Sequence, residues 1–191
     1  GHVPLLQLLD EHRADLKAAK LDGRQPIHDA AQHGQVSCID FLVSRRASVK
    51  ALNQYGEQPM HVAAWEDQLA VAEMLVGRRA SVAVVDKAGG QPLHAAASTG
   101  HARFVEFLLS HGASLTGVQG QGAQPIHLAT ANGHAALVER LATLGANLTA
   151  VDNFGATPMD VATNAGHTAL VELLASQMKL RKEDNSVCQS R

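Results

Sequence analysis

The chain has 191 residues, a formal net charge of −2 and a pI near 6.6, so it offers no basic field for a phosphate backbone. Nucleic acid is therefore not expected as a partner. Hydrophobic residues make up 46% but aromatic residues only 3%, which predicts helices packed closely through Ala, Leu and Val. No apolar run reaches the roughly 18 residues of a membrane span, and no signal-peptide pattern opens the chain.

The cysteine content points to a reducing compartment. Cys38 falls on the apolar face of a predicted helix and Cys188 in a polar segment, far apart in the sequence. We read both as free thiols of an intracellular protein, with the cytoplasm as the default compartment.

Residues 1–20 are predicted to be the second helix and loop of a truncated repeat. Gly1-His2 matches later Gly-His pairs such as Gly100-His101, so the segment from Val3 to Leu9 aligns with a second helix whose first helix is absent. Its leucines would present an uncovered apolar side. We expect further repeats or a partner to precede it, the alternative being a native half-repeat that serves as a frayed cap.

Residues 21–176 contain five copies of one phrase, each 33 residues after the last. The phrase is proline, then Ile, Leu or Met, then usually His: Pro26-Ile27-His28, Pro59-Met60-His61, Pro92-Leu93-His94, Pro125-Ile126-His127 and Pro158-Met159-Asp160. A glycine keeps the same step at Gly23, Gly56, Gly89, Gly122 and Gly155. A single globular core has no reason to hold such a phase, whereas a stack of identical units does.

The fourth copy, residues 119–151, shows how one unit is predicted to fold. Pro125 suits the first position of a short helix, which Gly133 ends in a left-handed conformation. Apolar residues spaced three or four apart over 137–144 then predict a second helix, followed by Gly145 and an extended loop. Each unit is therefore helix, turn, helix and projecting loop.

These residues resemble the ankyrin repeat, whose signature is a Thr-Pro-Leu-His helix start and a Gly-Ala ending after a Leu-Leu pair. The clearest match is Gln91-Pro92-Leu93-His94-Ala95-Ala96-Ala97-Ser98-Thr99-Gly100-His101, and the resemblance covers about residues 1–176. It implies an all-α, right-handed solenoid of five helix-turn-helix-loop units plus an N-terminal half-repeat. It also implies protein–protein recognition through a concave groove.

The sequence departs from that pattern at three kinds of position. Gln25, Gln58, Gln91 and Gln124 replace the helix-start Thr, which survives at Thr157. Gln is a poor helix cap, so a cost of about 1 kcal/mol per unit is expected, unless its amide reaches the neighbouring His ring. Non-Gly residues stand where left-handed helix ends are expected, at Arg13, Arg46, Asp67 and Arg79. Asp160 replaces His in the last unit, as suits an atypical terminal repeat.

The final segment, residues 177–191, is predicted to be a polar, mobile tail. Periodicity is lost from Lys179 onward, where charged residues mix with Ser, Asn and Gln.

No cofactor, metal or catalytic residue is predicted. Helices of successive repeats lie about 8–10 Å apart, too far for the in-phase histidines to share an ion whose ligands lie about 2.1 Å from it. We therefore expect His28, His61, His94 and His127 to bond adjacent loops. No nucleophile elbow is present, and the glycines at 117–122 match no phosphate-binding spacing.

Two short basic motifs resemble substrates of basophilic protein kinases. They are Arg45-Arg46-Ala47-Ser48 and Arg78-Arg79-Ala80-Ser81, which make Ser48 and Ser81 candidate phosphorylation sites. Ser114 holds the same repeat position without arginines, so the repeat itself explains the serine.

By the resemblance, a partner would bind at the loop tips and at the ends of the first helices. The candidate partner-binding residues are Arg24, His33, Tyr55, Glu57, Trp65, Glu66, Lys87, Ser98, Thr99, Gln121, Asn132, Asn153 and Phe154. The single Trp and single Tyr both fall in the second unit, which favours Trp65 and Tyr55 as interface anchors. The alternative is that Trp65 merely covers its neighbouring helix.

A series of apolar residues at the loop bases is predicted to pack between helix and loop. The series is Leu52, Val85, Val118 and Val151. The resulting functional prediction is a non-enzymatic scaffold or adaptor that binds another protein. The alternatives are an architectural subunit of a large assembly, or the regulatory part of a larger enzyme or channel.

Overall fold

The computed structural model describes the backbone of residues 2–189 and the side chains of residues 2–181. Over these residues it contains eleven α-helices, and an isolated bridge between Gln119 and Ala123 is the nearest approach to a strand. The helices are α1 (Val3–Glu11), α2 (Pro26–Gln32), α3 (Val36–Ser44), α4 (Pro59–Trp65), α5 (Leu69–Gly77), α6 (Pro92–Thr99), α7 (Ala102–Ser110), α8 (Pro125–Ala131), α9 (Ala135–Thr143), α10 (Pro158–Asn164) and α11 (Thr168–Gln189).

The chain divides into two compact units. The first comprises residues 1–96 and 103–113, and the second comprises residues 97–102 and 114–191. In the first unit α2 packs on α3 and α4 on α5, while α2 also packs on α4 and α3 on α5. The second unit repeats this arrangement with α8, α9, α10 and α11. Like helices of successive repeats therefore stack, which confirms the predicted all-α repeat architecture.

Small side chains make the helices pack closely. Ala63 and Ala64 of α4 and Ala72 of α5 are fully buried, as is Ile39 of α3. Cys38 is a free thiol, 6% exposed, on the buried face of α3, as predicted. Cys188 lies outside the residues whose side chains are described.

Each first helix begins at a proline, and the residue before it caps the helix. In α10 the Thr157 hydroxyl accepts a bond from the Asp160 amide at 3.2 Å, while the Asp160 carboxylate accepts from the Thr157 amide at 2.9 Å. These two bonds close a reciprocal capping box. The Thr157 bonds also lower the pKa of Asp160.

The four repeats that begin with Gln build this box differently. The Gln side chain makes no cap hydrogen bond in Gln25, Gln58 and Gln124, and its Oε1 is buried without a partner in Gln58, Gln91 and Gln124. The ring Nδ1 of the following His accepts from the Gln backbone N–H at 3.1–3.2 Å. The Gln backbone, not its side-chain amide, thus reaches the ring.

His28, His61 and His127 also hold the next loop along the chain. We call these loops fingers: residues 18–25, 51–58, 84–91, 117–124 and 150–157. The Nε2 atom of His28 lies 3.1 Å from the carbonyl oxygen of Ala51, and that of His61 lies 3.1 Å from Gly90 O. His127 makes the equivalent contact with Ala150 O. The expected structural role is therefore confirmed for His28, His61 and His127.

Within each unit, successive fingers are also joined backbone to backbone. Gln54 N donates to Asp22 O at 2.8 Å and Lys87 N to Tyr55 O at 2.9 Å. Gly23 is needed here for two reasons, because its φ is +76° and because a Cβ would lie 2.7 Å from Gln54 N. The fingers consequently form a fixed framework for the residues at their tips.

Four non-glycine residues adopt the left-handed conformation, as predicted. Their φ angles are +60° at Arg13, +66° at Arg46, +53° at Asp67 and +63° at Arg79. A side chain in this region costs about 1–2 kcal/mol.

The last helix extends beyond residue 177, where the polar tail is predicted to begin. The last helix, α11, continues from Thr168 to Gln189. Arg181 donates to the carbonyl oxygens of Ala146, at 2.9 Å, and Ala142, so it holds the extension against the end of α9. The repeat period could not predict these contacts, because both are made by one residue, Arg181, that lies beyond the last repeat. The mobility of the tail remains a prediction.

The left-handed helix ends give a matched pair of variants. Arg79→Gly should raise the free energy of unfolding by about 1 kcal/mol, because it removes the Cβ strain. Gly112 holds the equivalent position with φ +90°, and a Cβ added there would meet no atom within 4 Å beyond its chain neighbours. Gly112→Ala should therefore lower the free energy of unfolding by about 1 kcal/mol through backbone strain alone. Urea denaturation measures both, and changes of the same sign would contradict the interpretation.

Two of the finger-binding histidines have lowered pKa values. Burial is the main cause for both His28 and His61, and it outweighs the bonds to Glu57 O and Gly90 O respectively, which act in the opposite direction. Arg24 lowers the pKa of His28 further, whereas Asp86 and Glu57 raise that of His61. Both rings are thus favoured in the neutral form in the folded chain.

Stability should therefore fall as the pH drops below about 6.5, the ordinary pKa of an unfolded histidine. The unfolded chain takes up these protons first, so acidification favours unfolding until the lowered folded-state pKa is passed. Comparing urea midpoints at pH 7.5 and 5.5 tests this. His61→Gln should reduce the pH-dependent loss, whereas His33→Gln, at an exposed ring, should leave it unchanged. If His61→Gln and His33→Gln changed the pH-dependent loss of stability equally, the buried rings would not be the source of that loss.

Candidate functional site

The candidate residues lie on the finger tips and at the C-terminal ends of the first helices, which together we call the finger surface. The first unit carries Arg24, His33, Tyr55, Glu57, Trp65, Glu66 and Lys87, and the second carries Ser98, Thr99, Gln121, Asn132, Asn153 and Phe154. Large hydrophobic side chains are exposed in both units: 61% for Tyr55, 42% for Trp65 and 72% for Phe154.

Trp65 is held at the end of α4 by a carboxylate. Its indole N–H donates to Glu57 Oε1 at 3.2 Å, and Asn53 Nδ2 donates to Glu57 Oε2 at 2.7 Å. Asn53 is 7% exposed, and its Oδ1 accepts from the backbone N–H groups of Tyr55 and Glu57. A buried asparagine thus fixes the finger, the finger positions Glu57, and Glu57 orients the indole.

A second chain of polar contacts links α2 to α4. Arg24 forms a salt bridge with Asp29 at 3.3 Å and donates to Gln32 Oε1 at 2.5 Å. Gln32 Nε2 then donates to Glu66 Oε1 at 3.1 Å. Lys20 also pairs with Asp29 at 2.7 Å. The charge of Arg24 is therefore compensated within its own repeat.

The predicted packing of the apolar loop-base series is wrong. Leu52, Val85, Val118 and Val151 are 55–58% exposed. Side chains alternate along an extended segment, so Ala51 and Asn53 point inward at 7% exposure while Leu52 between them faces solvent. In the first unit Leu52 and Val85 therefore add apolar area to the fingers.

In the second unit the candidate residues are mostly small and uncharged. Asn132 Nδ2 donates to Ser98 Oγ at 3.2 Å, and Asn153 N donates to Gln121 O at 2.8 Å. Thr99, at the end of α6, is half-buried, whereas Phe154 projects from its finger. The two units thus offer surfaces of different chemistry.

Asn53 is the residue that the sequence prediction missed. Asp86 and Asp152, its equivalents one and three repeats later, also accept two backbone N–H bonds within their own fingers. That in-phase pattern of short amide or carboxylate side chains was available in the sequence. The contact with Glu57 was not, since it depends on the fold of the finger.

Ser48 and Ser81 are exposed but already serve the local fold. Their hydroxyl oxygens accept from the backbone N–H two residues ahead, at 3.1 and 3.2 Å, as does Ser114 at 3.2 Å. Arg45 pairs with Asp10 at 2.6 Å, and Arg78 pairs with Asp40. Phosphorylation of these serines stays a prediction.

Over the residues that the structure describes, no group of three His, Cys, Asp or Glu side chains could hold a metal ion. His33 lies apart from the finger contacts: its ring is 2.8 Å from Asp29 O, and it lines a cavity of about 320 Å³ with Leu6 and Cys38. None of the helices in the described part of the chain is long and apolar enough to cross a membrane.

Comparison with known proteins identifies the family of the chain. No curated protein matches the chain. The family model described as ankyrin repeats (3 copies) matches residues 1–86 and again 93–186. Repeats of this kind are generally protein–protein interaction modules. With the 33-residue period and the stacked helix pairs, these matches show that the chain belongs to the ankyrin-repeat family.

Proposed function

We propose that this chain is a non-enzymatic scaffold or adaptor that binds a partner protein through its finger surface, centred on the second repeat. The observation that carries the proposal is the exposure of Tyr55 and Trp65 on fixed supports. Exposed aromatic side chains with a polar group are the residues most often found as interface hot spots.

The rigidity of the supports favours binding. Trp65 is oriented by Glu57, and the backbone of Tyr55 is bonded both to Asn53 and to Lys87. A partner would lose less affinity to the ordering of this surface, because the Trp65 side chain and the Tyr55 backbone are already restricted. Leu52 and Val85 supply additional apolar area on the neighbouring positions of the same unit.

The surface is better suited to a protein than to a small substrate. Small-molecule sites are usually enclosed clefts that bury most of the ligand. The tips of the fingers instead project, with Tyr55 61% and Val85 57% exposed. These positions therefore form no enclosed site of the kind that turns over a small molecule.

An architectural subunit is the second candidate function, and α1 favours it. This helix has no buried residue, and its Leu5, Leu8 and Leu9 side chains are 54%, 50% and 40% exposed. An assembly that covers α1 permanently would explain this face. In that case the isolated chain should self-associate on size-exclusion chromatography, and Leu5→Gln with Leu8→Gln should restore a monomer. A monomeric wild-type chain would favour the adaptor.

Affinity capture from a lysate of the source cells tests the adaptor function. Trp65→Ala and Tyr55→Ala should each reduce recovery of at least one shared partner about tenfold, corresponding to about 1.4 kcal/mol. Leu180→Ala, which truncates an exposed leucine on α11, is the matched control and should retain that partner. Circular dichroism should confirm that all three variants fold. Retention of every partner by both aromatic variants would defeat the proposal.

A further inference from the structure

The second repeat combines the chain's Tyr and Trp with a net negative charge. Residues 53–67 contain Glu57, Glu66 and Asp67 but no Lys or Arg, together with the single Tyr and the single Trp of the chain. The equivalent segments 20–34 and 86–100 balance their carboxylates with Lys or Arg, and 119–133 carries no charged side chain apart from histidine. The segment 152–166 carries two carboxylates, Asp152 and Asp160, without Lys or Arg, but it has neither Tyr nor Trp. The finger surface of the second repeat is thus an anionic and aromatic patch.

The side-chain carboxylates of Glu57 and Glu66 accept hydrogen bonds from neutral groups. Glu57 accepts one bond from Asn53 and one from Trp65, and Glu66 accepts from Gln32 on one oxygen. Carboxylate oxygens each have two acceptor positions, so both groups can accept further donors. Neither carboxylate takes part in a salt bridge within the described part of the chain.

Nearby cations do not compensate these charges. Arg24 and Lys20 are both paired with Asp29. Lys87, on the next finger, lies within salt-bridge distance of neither glutamate. Its side chain instead lies close to Gly56, where an added Cβ would be 3.0 Å from Lys87 Cγ. An incoming cation would therefore find two carboxylates available and no fixed cation seated on them.

The orientation of Trp65 suits the same kind of ligand. Its N–H edge is fixed on Glu57, and the side chain is 42% exposed. A cation over an indole face is attracted by the ring quadrupole, and the attraction is strongest for Trp among the aromatic residues. A guanidinium can stack on the ring and at the same time donate to carboxylates, whereas an ammonium acts as a compact point charge.

We propose that the second repeat binds an arginine side chain of the partner, stacked on Trp65 and paired with Glu57 and Glu66. The inference rests on the proposed function and adds the chemistry of the partner, which is a protein segment carrying exposed arginine. Glu57 and Glu66 act as the anionic contacts, Asn53 and Gln32 position them, and Asp67 adds to the local negative potential.

Because Trp65 is the only tryptophan, its fluorescence and its indole N–H resonance report on this patch alone. The probe is an acetylated and amidated tripeptide of arginine, compared at constant ionic strength with the same tripeptide of citrulline, the uncharged isostere. The arginine peptide should bind at least fivefold more tightly, and the lysine tripeptide should fall between the two. Equal binding of the arginine and citrulline peptides would overturn the proposal.

Variants separate local contacts from overall charge. Glu57→Gln and Glu66→Gln should each weaken arginine-peptide binding about fivefold. Glu73→Gln, an exposed glutamate on α5, makes the same charge change and should have no effect. Glu66→Gln retains an oxygen that can accept the bond from Gln32. Glu57→Gln retains one oxygen, which can accept from Trp65 or from Asn53 but does not replace both acceptors, and thermal melts check the fold. Equal losses in all three variants would reduce the effect to net charge and refute the assigned site.

The capture experiment distinguishes this inference from the function on which it rests. If Trp65→Ala loses a partner while Glu57→Gln and Glu66→Gln retain it at full recovery, the finger surface binds proteins but not through arginine. If the aromatic variants also retain every partner, the proposed function itself fails. If Trp65→Ala, Glu57→Gln and Glu66→Gln all lose the same partner, the result supports both the proposed function and the arginine site.

Discussion

The imidazole ring at the start of the first helices is the contact on which the surface depends. Its Nδ1 accepts from the backbone N–H before the proline, so Nε2 must carry the proton and donate to the carbonyl of the next finger. A single neutral tautomer therefore joins a helix start in one repeat to a loop in the next. Protonation removes the Nδ1 acceptor, which agrees with the lowered pKa of His61 and His28.

This contact turns short loops into a fixed display. A finger alone is a turn of about eight residues, but a ring ties the bases of the fingers 51–58, 84–91 and 150–157, and a backbone bond joins the tip of each of these fingers to a neighbour within the same unit. The exposed tip residues then need no packing of their own. Tyr55 and Leu52 can therefore remain in solvent at little cost to the fold, and residues that vary between repeats collect where the framework leaves them free.

The 33-residue period was sufficient to predict the helices, the histidine bonds and the left-handed residues, because each follows from a position that the repeat places in the same environment. The side-chain details of the surface do not follow from the period. An apolar residue recurs at the position of Leu52 in every later finger, which predicts packing, yet the alternation of side chains along the extended backbone turns Leu52 outward. The bond between Trp65 and Glu57 joins residues present together in one repeat alone, so no in-phase comparison could predict it.

Asp67 connects the stability of the second repeat with its chemistry. The equivalent positions in the other repeats are Gly34, Gly100, Gly133 and Gly166, all with positive φ, where glycine avoids the Cβ strain. Asp67 takes the same conformation at a cost of about 1–2 kcal/mol in backbone strain. It directly follows Trp65 and Glu66, in the patch proposed to receive an arginine. If the patch receives an arginine as proposed, a third negative charge there adds to the attraction for a cation, and glycine could not supply that charge.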